Sequence, residues 1–315
     1  MAEHVAQWDE APQRQIDVGP IGGVWWDLGV AAGTIDLGLR RMRLDPGKRS
    51  TPAHVHGAEE EAFFILSGEG LSWQGGEVCE IGPGDVLLHP AEGRPHTLIA
   101  GPDGLEVLAF GTRVPVESCW LPRVGVAGLG DKTWTSVGEG GHPFAQEAAL
   151  GDLDVSRRVG REGRVTNVAD IGVSRISRGE TGCDLRDLAA GVLRRSRLRY
   201  VRHEPGKIGF PPHLHTAEEE LFVVLEGEGV LELHECTRPE VFSSHPLRVG
   251  SLVARLAGGS LAHAFRGGPR GMTCLVFAGR DTNDISYYPR SRKLVLGDGI
   301  VVGRLEPLDF WVGEE

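Results

Sequence analysis

A duplicated pattern constrains this chain more than any other feature. Gly47, His54, His56, Glu61 and Gly68 return 159 residues later as Gly206, His213, His215, Glu220 and Gly227. A second block follows at slightly larger separation: Gly84 returns as Gly250, His96 as His263 and Phe110 as Phe277, and WLPR at 120–123 returns as YYPR at 287–290. The spacing changes because the second copy carries extra residues around ECTRPEVFSSHP and before His263. Loops absorb such insertions at little entropic cost, so the shared framework is expected to be strands and the differences loops.

A chain of 315 residues exceeds what one hydrophobic core usually supports. The repeat therefore predicts two units, 1–152 with some N-terminal strands of its own and 153–315. With 46 glycines and 19 prolines and few apolar stretches at helical spacing, short strands joined by turns are favoured over helices. EAFFIL at 61–66 and ELFVVL at 220–225 read as strands that end in the turn signals SGEG and EGEG, while GPGDVLLHP and RVGSLVARL each set a glycine turn before another strand. Each half is expected to be a sandwich or barrel.

The formal charge of −11 argues against a general polyanion-binding surface, so no nucleic-acid partner is expected. Residues 157–202 run against this balance with 12 arginines and five acids, and ordinary behaviour makes that run a solvated face. Five cysteines without paired spacing fit a reducing compartment. The start MAEHVAQWDE lacks the pattern of a secretory signal and no membrane-length apolar run exists, so a cytoplasmic location with no membrane partner is the expectation.

On a strand, alternate side chains share a face, which places His54 and His56 side by side with Cα atoms about 6.5–7 Å apart. After the turn at Gly57–Glu60 the chain can bring Glu61 beside them, and His96 can arrive from a later strand. Three imidazoles and one carboxylate suit Fe(II), Mn(II), Co(II), Ni(II) or Zn(II) and leave coordination positions open on an octahedral ion.

With these residues the sequence resembles the cupin superfamily, and in particular the bicupins. That resemblance implies an all-β fold of two double-stranded β-helix (jelly-roll) barrels in tandem, each with a divalent metal ion. Its ligands would be His54, His56, Glu61 and His96 in one barrel and His213, His215, Glu220 and His263 in the other. Alternation puts Phe63 and Ile65 on the side of Glu61, and Phe222 and Val224 on the side of Glu220, where they are expected to line a substrate pocket. Glu59, Glu60, Glu218 and Glu219 are expected to be solvated turn residues, and His89 a packed or surface histidine.

Fold does not name a reaction. The leading expectation is an oxidoreductase of dioxygenase type acting on a small organic substrate, with Glu61 or Glu220 taking the substrate proton. A metal-dependent isomerase or lyase of a sugar or small acid is the alternative, and a non-catalytic ligand-binding cupin the third reading. Oxalate chemistry is argued against, because the clamp arginine of oxalate decarboxylases is replaced by Thr51 and Phe210, although Arg43 or Arg202 could point inward. A homodimer is one of the assemblies that bicupins adopt.

Overall fold

The computed structural model describes residues 5–130, 133–135, 141–296, 299, 301–306, 308 and 311–314. Two eight-stranded sheets and two four-stranded sheets make two barrels. In the first barrel the large sheet runs Asp85–His89, Glu61–Gln74, His96–Thr112, Leu37–Leu44, Ile21–Asp27, Gln13–Val18, with Glu77–Ile81 paired to Glu61–Gln74. In the second barrel Ser251–Arg255, Glu220–Glu235, Leu261–Gly279, Ser196–His203, Thr181–Asp187 and Ser174–Arg178 repeat this order.

The stretch read as a strand from 61 to 66 continues through SGEG to Gln74, and its counterpart runs from Glu220 to Glu235. No turn forms at the glycines; the ladder to the neighbouring strand slips there, between Ile65 and Ser67 and again between Gly68 and Gly70. Gly68 has φ +79°, and a Cβ on it would stand 2.3 Å from the Gly104 carbonyl oxygen. Only glycine lets two backbones approach so closely, and the resulting bulges bend the strand around the barrel. The second-copy insertion extends a hairpin, with Phe242–Arg248 paired to Glu220–Glu235.

Alternation divides each long strand between two cores. Phe63 and Ile65 face inward, into a cluster with Trp25, Met42, Leu87 and Val107, and Phe222 and Val224 do the same in the second barrel. Ala62, Phe64, Leu221 and Val223 face the other way, into an apolar layer shared by both barrels, where Phe110 and Phe277 meet at 5.3 Å between ring centroids. Short arms cross this layer. Ala6–Gln7 pairs with Leu252 and Ser251 of the second barrel, and Thr166–Asn167 pairs with Val86 and Asp85 of the first, so the chain on either side of 152 is interleaved.

Most arginines of the 157–202 run are exposed, as expected of a solvated face, but some of them also make specific ion pairs. Arg157 and Arg164 pair with Glu77, Arg161 pairs with Asp85, and Arg197 pairs with Glu218. These contacts dock residues 157–164 against the first barrel, since Glu77 and Asp85 both sit on its strands.

Candidate metal centres and their cavities

Both histidine pairs lie where a short strand edge meets the large sheet. His54 bridges to His96 and His213 to His263, while His56 pairs with Cys119 and His215 with Ser286. Glu61 and Glu220 begin the long strands alongside. The Oε2 atom of Glu61 is 3.3 Å from His54 Nε2, 3.4 Å from His56 Nε2 and 2.8 Å from His96 Nε2. Glu220 Oε2 is 3.8 Å from His215 Nε2 and 3.0 Å from His263 Nε2, and His213 offers a ligand atom to the same cluster.

The opposite ring nitrogens are held by the protein. His54 Nδ1 donates to the Pro52 carbonyl at 3.0 Å, His96 Nδ1 to the Arg94 carbonyl at 3.1 Å and His213 Nδ1 to the Pro211 carbonyl at 2.9 Å. His56 Nδ1 donates to Glu117 at 3.1 Å, and His215 Nδ1 to Asp284 at 2.6 Å. Holding Nδ1–H in this way directs each Nε2 lone pair to the centre and fixes the tautomer a metal requires. Sequence reasoning missed Glu117 and Asp284 because they lie about sixty residues from their histidines. The second repeat register, which pairs WLPR with YYPR, equates the two carboxylates and was the available signal.

The fit to a cation shows in the orphaned atoms. His56 Nε2, His263 Nε2 and Glu220 Oε2 are buried without a hydrogen-bond partner, although the last two lie 3.0 Å apart. Buried polar groups are almost always satisfied, and imidazole and carboxylate ligand atoms left unpartnered around one point are what a divalent ion would satisfy. Burial opposes charge on His56, yet Glu61 and Glu117 outweigh it and raise that imidazole to about 10. Burial also opposes charge on Glu61, and the surrounding histidines reverse this and hold its carboxyl well below the usual range. In the second centre burial, followed by the neighbouring His263, pulls His213 down to about 3, which keeps it neutral.

Comparison with known proteins bears on the fold. A family model described as a cupin domain matches residues 40–110. The fold is similar to that of oxalate decarboxylase from Bacillus subtilis at pH 4.6, with 14% identity, a TM-score of 0.57, and coverage of 88% of this chain and 76% of that one. It is similar also to the formate complex of the Lactobacillus farciminis oxalate decarboxylase, at 14% identity, TM-score 0.60, and 90% and 88% coverage. The Bacillus enzyme appears again in a study of its Mn(II) centres, at 13% identity, TM-score 0.57, and 91% and 80% coverage. No curated protein matches in sequence.

The chain has the bicupin architecture. Each barrel brings three histidines and one glutamate together beside a cavity, a donor set that could hold a divalent ion.

The first bicupin cavity, of about 560 Å³, is lined by His54, His56 and Glu61 together with Arg14, Trp25, Arg40, Glu59, Phe110 and Phe144. The second, of about 270 Å³, is lined by His213, His215, Glu220 and His263 with Arg197, Arg199, Phe210, Phe222, Phe265 and Tyr288. Of the four residues expected to line a pocket, Phe222 does. Phe63, Ile65 and Val224 do not; they are packed in the barrel cores behind the centres. Alternation gave their face correctly, but the cavity opens at the histidine end, and side chains fill the barrel from Phe63 inward in the first copy and beyond Phe222 in the second. Phe63 reaches only the rims of His89 and His96, at centroid distances of 5.4 and 5.9 Å.

The turn glutamates are not solvated. Glu60, Glu218 and Glu219 are 3%, 3% and 2% exposed. Glu59 is partly buried and lines the first cavity; burial pushes its carboxyl up to about 7, against the hydrogen bond it accepts from the Val114 N–H. His89 is packed, stacked on His96 at 3.6 Å between centroids, and burial keeps it neutral. Arg43 and Arg202 are exposed and do not enter the cavities. The arginines that line the cavities are instead Arg199, whose Nε is buried without a partner, and its repeat counterpart Arg40, which is exposed and paired with Asp27 at 3.0 Å. Tyr288 stacks on His213 at 5.3 Å and 17°; its counterpart is Leu121.

Proposed function

We propose that this bicupin is a metal-dependent oxidoreductase of dioxygenase type, acting on a small organic acid that carries an enol or phenol oxygen. The observation that carries the reading is the second cavity, where a three-histidine, one-glutamate centre, Arg199 with its buried Nε and aromatic walls face one another. When bound, a redox-active divalent ion would supply Lewis acidity toward the substrate oxygen and electron exchange with dioxygen.

The protein's own groups divide the remaining work. Arg199 offers a planar donor pair to an acidic group of the substrate, while in the first barrel the Nε of Arg40 is held by Asp27. Phe210, Phe222 and Phe265 cover an apolar body and exclude water from the second centre. Glu220 is ionised at neutral pH and so stands in the proton-accepting form, but its lowered pKa makes it a weak base. Proton transfer to it therefore depends on prior acidification of the substrate hydroxyl. In the first barrel Glu59, at about 7, is better matched to that proton than Glu61, because a base works best when its pKa lies near the working pH.

A second reading is an oxygen-independent lyase. The buried, unpartnered Nε of Arg199 supports it, since a substrate carboxylate held there would face the centre. The solved decarboxylases of similar fold belong to that class. Oxalate itself is disfavoured, because Thr51 and Phe210 stand where those enzymes carry their clamp arginine.

The test is oxygen uptake by protein loaded in turn with Fe(II), Mn(II), Ni(II) or Co(II), against catechol-like, β-diketone and 2-oxo acid candidates, beside the same reactions without oxygen. Uptake stoichiometric with substrate loss supports the proposal. Equal turnover without oxygen replaces it with the lyase. Tight binding without turnover under either atmosphere leaves a ligand-binding cupin.

A further inference from the structure

We propose that Glu60 and Glu219 are positioning residues that tie each metal centre to the opposite barrel, so that metal loading at one centre changes affinity at the other. The two carboxylates are repeat counterparts, and each immediately precedes the ligand glutamate of its own barrel. Glu60 reaches across the interface to the second barrel, where it accepts the Arg194 N–H at 2.7 Å, the Arg195 N–H at 3.1 Å and the Ser196 hydroxyl at 2.7 Å. Glu219 reaches back to the first, accepting the N–H groups of Ile35, Asp36 and Leu37 at 2.9, 2.7 and 2.9 Å. Ser196 and Leu37 are themselves repeat counterparts and begin equivalent strands. The two contacts are thus related by the same pseudo-symmetry as the barrels.

A buried carboxylate is costly to desolvate, and an apolar pair of similar shape would hold an interface at least as well. What a carboxylate supplies is directional fixing by several donors. Its own backbone is pinned as well: the Glu60 carbonyl accepts from Thr112 N–H at 3.0 Å, and the Glu219 carbonyl from Gly279 N–H at 2.9 Å. The metal ligand that follows therefore cannot move without shifting the start of a strand in the other barrel. Those strands carry the cavity arginines, Arg197 and Arg199 beyond Ser196, and Arg40 beyond Leu37. From ligand Glu61 to the wall of the second cavity the connection passes through Glu60 and a single set of hydrogen bonds, and the reverse route from Glu220 is as short. Coupling between such sites is reciprocal and is measured as a change in affinity.

The full chain is titrated with Mn(II) alone by calorimetry, with the Mn(II) electron paramagnetic resonance spectrum recorded at each loading. With the second centre removed by His213→Ala and His215→Ala, affinity at the first is expected to differ by about 5-fold or more from that in the intact chain. In Glu60→Gln with Glu219→Gln the same removal is expected to shift it by less than about 2-fold. The spectrum of the first centre is expected to change in Glu60→Gln although all four ligands remain. Ser196→Ala, which removes one donor at the far end and leaves both glutamates in place, is expected to weaken the coupling partially. Independent affinities in the intact chain, or coupling that persists unchanged in both the double glutamine variant and Ser196→Ala, would overturn the proposal.

Discussion

At the scale of single residues, the ligands were legible because their spacing is local. His54 and His56 had to share a face, and Glu61 had to follow one turn later. The carboxylates behind the histidines were not legible in that way. Glu117 accepts from His56 Nδ1 and also from the N–H groups of Gly57, Ala58 and Glu59, at 3.0, 2.9 and 2.8 Å, so one side chain sets both the ring and the loop that leads to Glu61. Glu117→Gln would put an amide N–H₂ against at least one of these donors. It is expected to lower metal affinity at the first centre by about 10–100-fold in a chelator competition, with Asp284→Asn doing the same at the second; a change below twofold would remove this role. A pH dependence belongs to the same residue. His56 is raised to about 10, and a metal must displace the proton from its Nε2, whereas burial already keeps His96 neutral. Proton and metal compete for one atom, so affinity at the first centre is expected to rise about tenfold per pH unit between pH 8 and 9. A flat profile over that range would contradict the assignment.

At the scale of elements, the strands were readable from their aromatic and branched runs, but their ends were not. SGEG and EGEG carry the composition of a turn, and here glycine serves a bulge within a continuous strand. Local composition cannot separate these outcomes, because a positive φ is needed in both. The structure ties the motif's closing glycine to a contact: a Cβ at Gly227 would stand 2.3 Å from the Gly271 carbonyl oxygen, as at Gly68 with Gly104. Gly68→Ala is therefore expected to destabilise the protein by about 2 kcal/mol or more in denaturant titrations, through both the strained φ and the backbone clash. An effect below about 0.5 kcal/mol would show that the bulge relaxes freely. Alternation was likewise right about faces and silent about depth. Ile65 and Val224 point inward as expected yet lie in the packed cores, because nothing in a period of two says where a barrel's cavity ends.

At the scale of the whole molecule, the repeat announced two units but not how closely they are joined. The apolar layer around Phe110 and Phe277, the exchanged arms and the reciprocal glutamates make the barrels one structural body. The acidic triplets are expected to be solvated turns; their presence at the same place in both copies was the signal available for this joining. The arginine-rich run is largely the exposed face expected of it, but its partners Glu77 and Asp85 lie some eighty residues away and only the fold brings them together. None of the helices among the described residues is long and apolar enough to cross a membrane.

The account rests on two metal centres built from the repeated ligand sets, and metal stoichiometry tests this most directly. Elemental analysis of dialysed protein is expected to give about two divalent ions per chain, falling to about one in His54→Ala with His56→Ala, to about one in His213→Ala with His215→Ala, and to none when all four are replaced. Protein that retains no ion under conditions where it is folded, or keeps the same content in all of these variants, would contradict it.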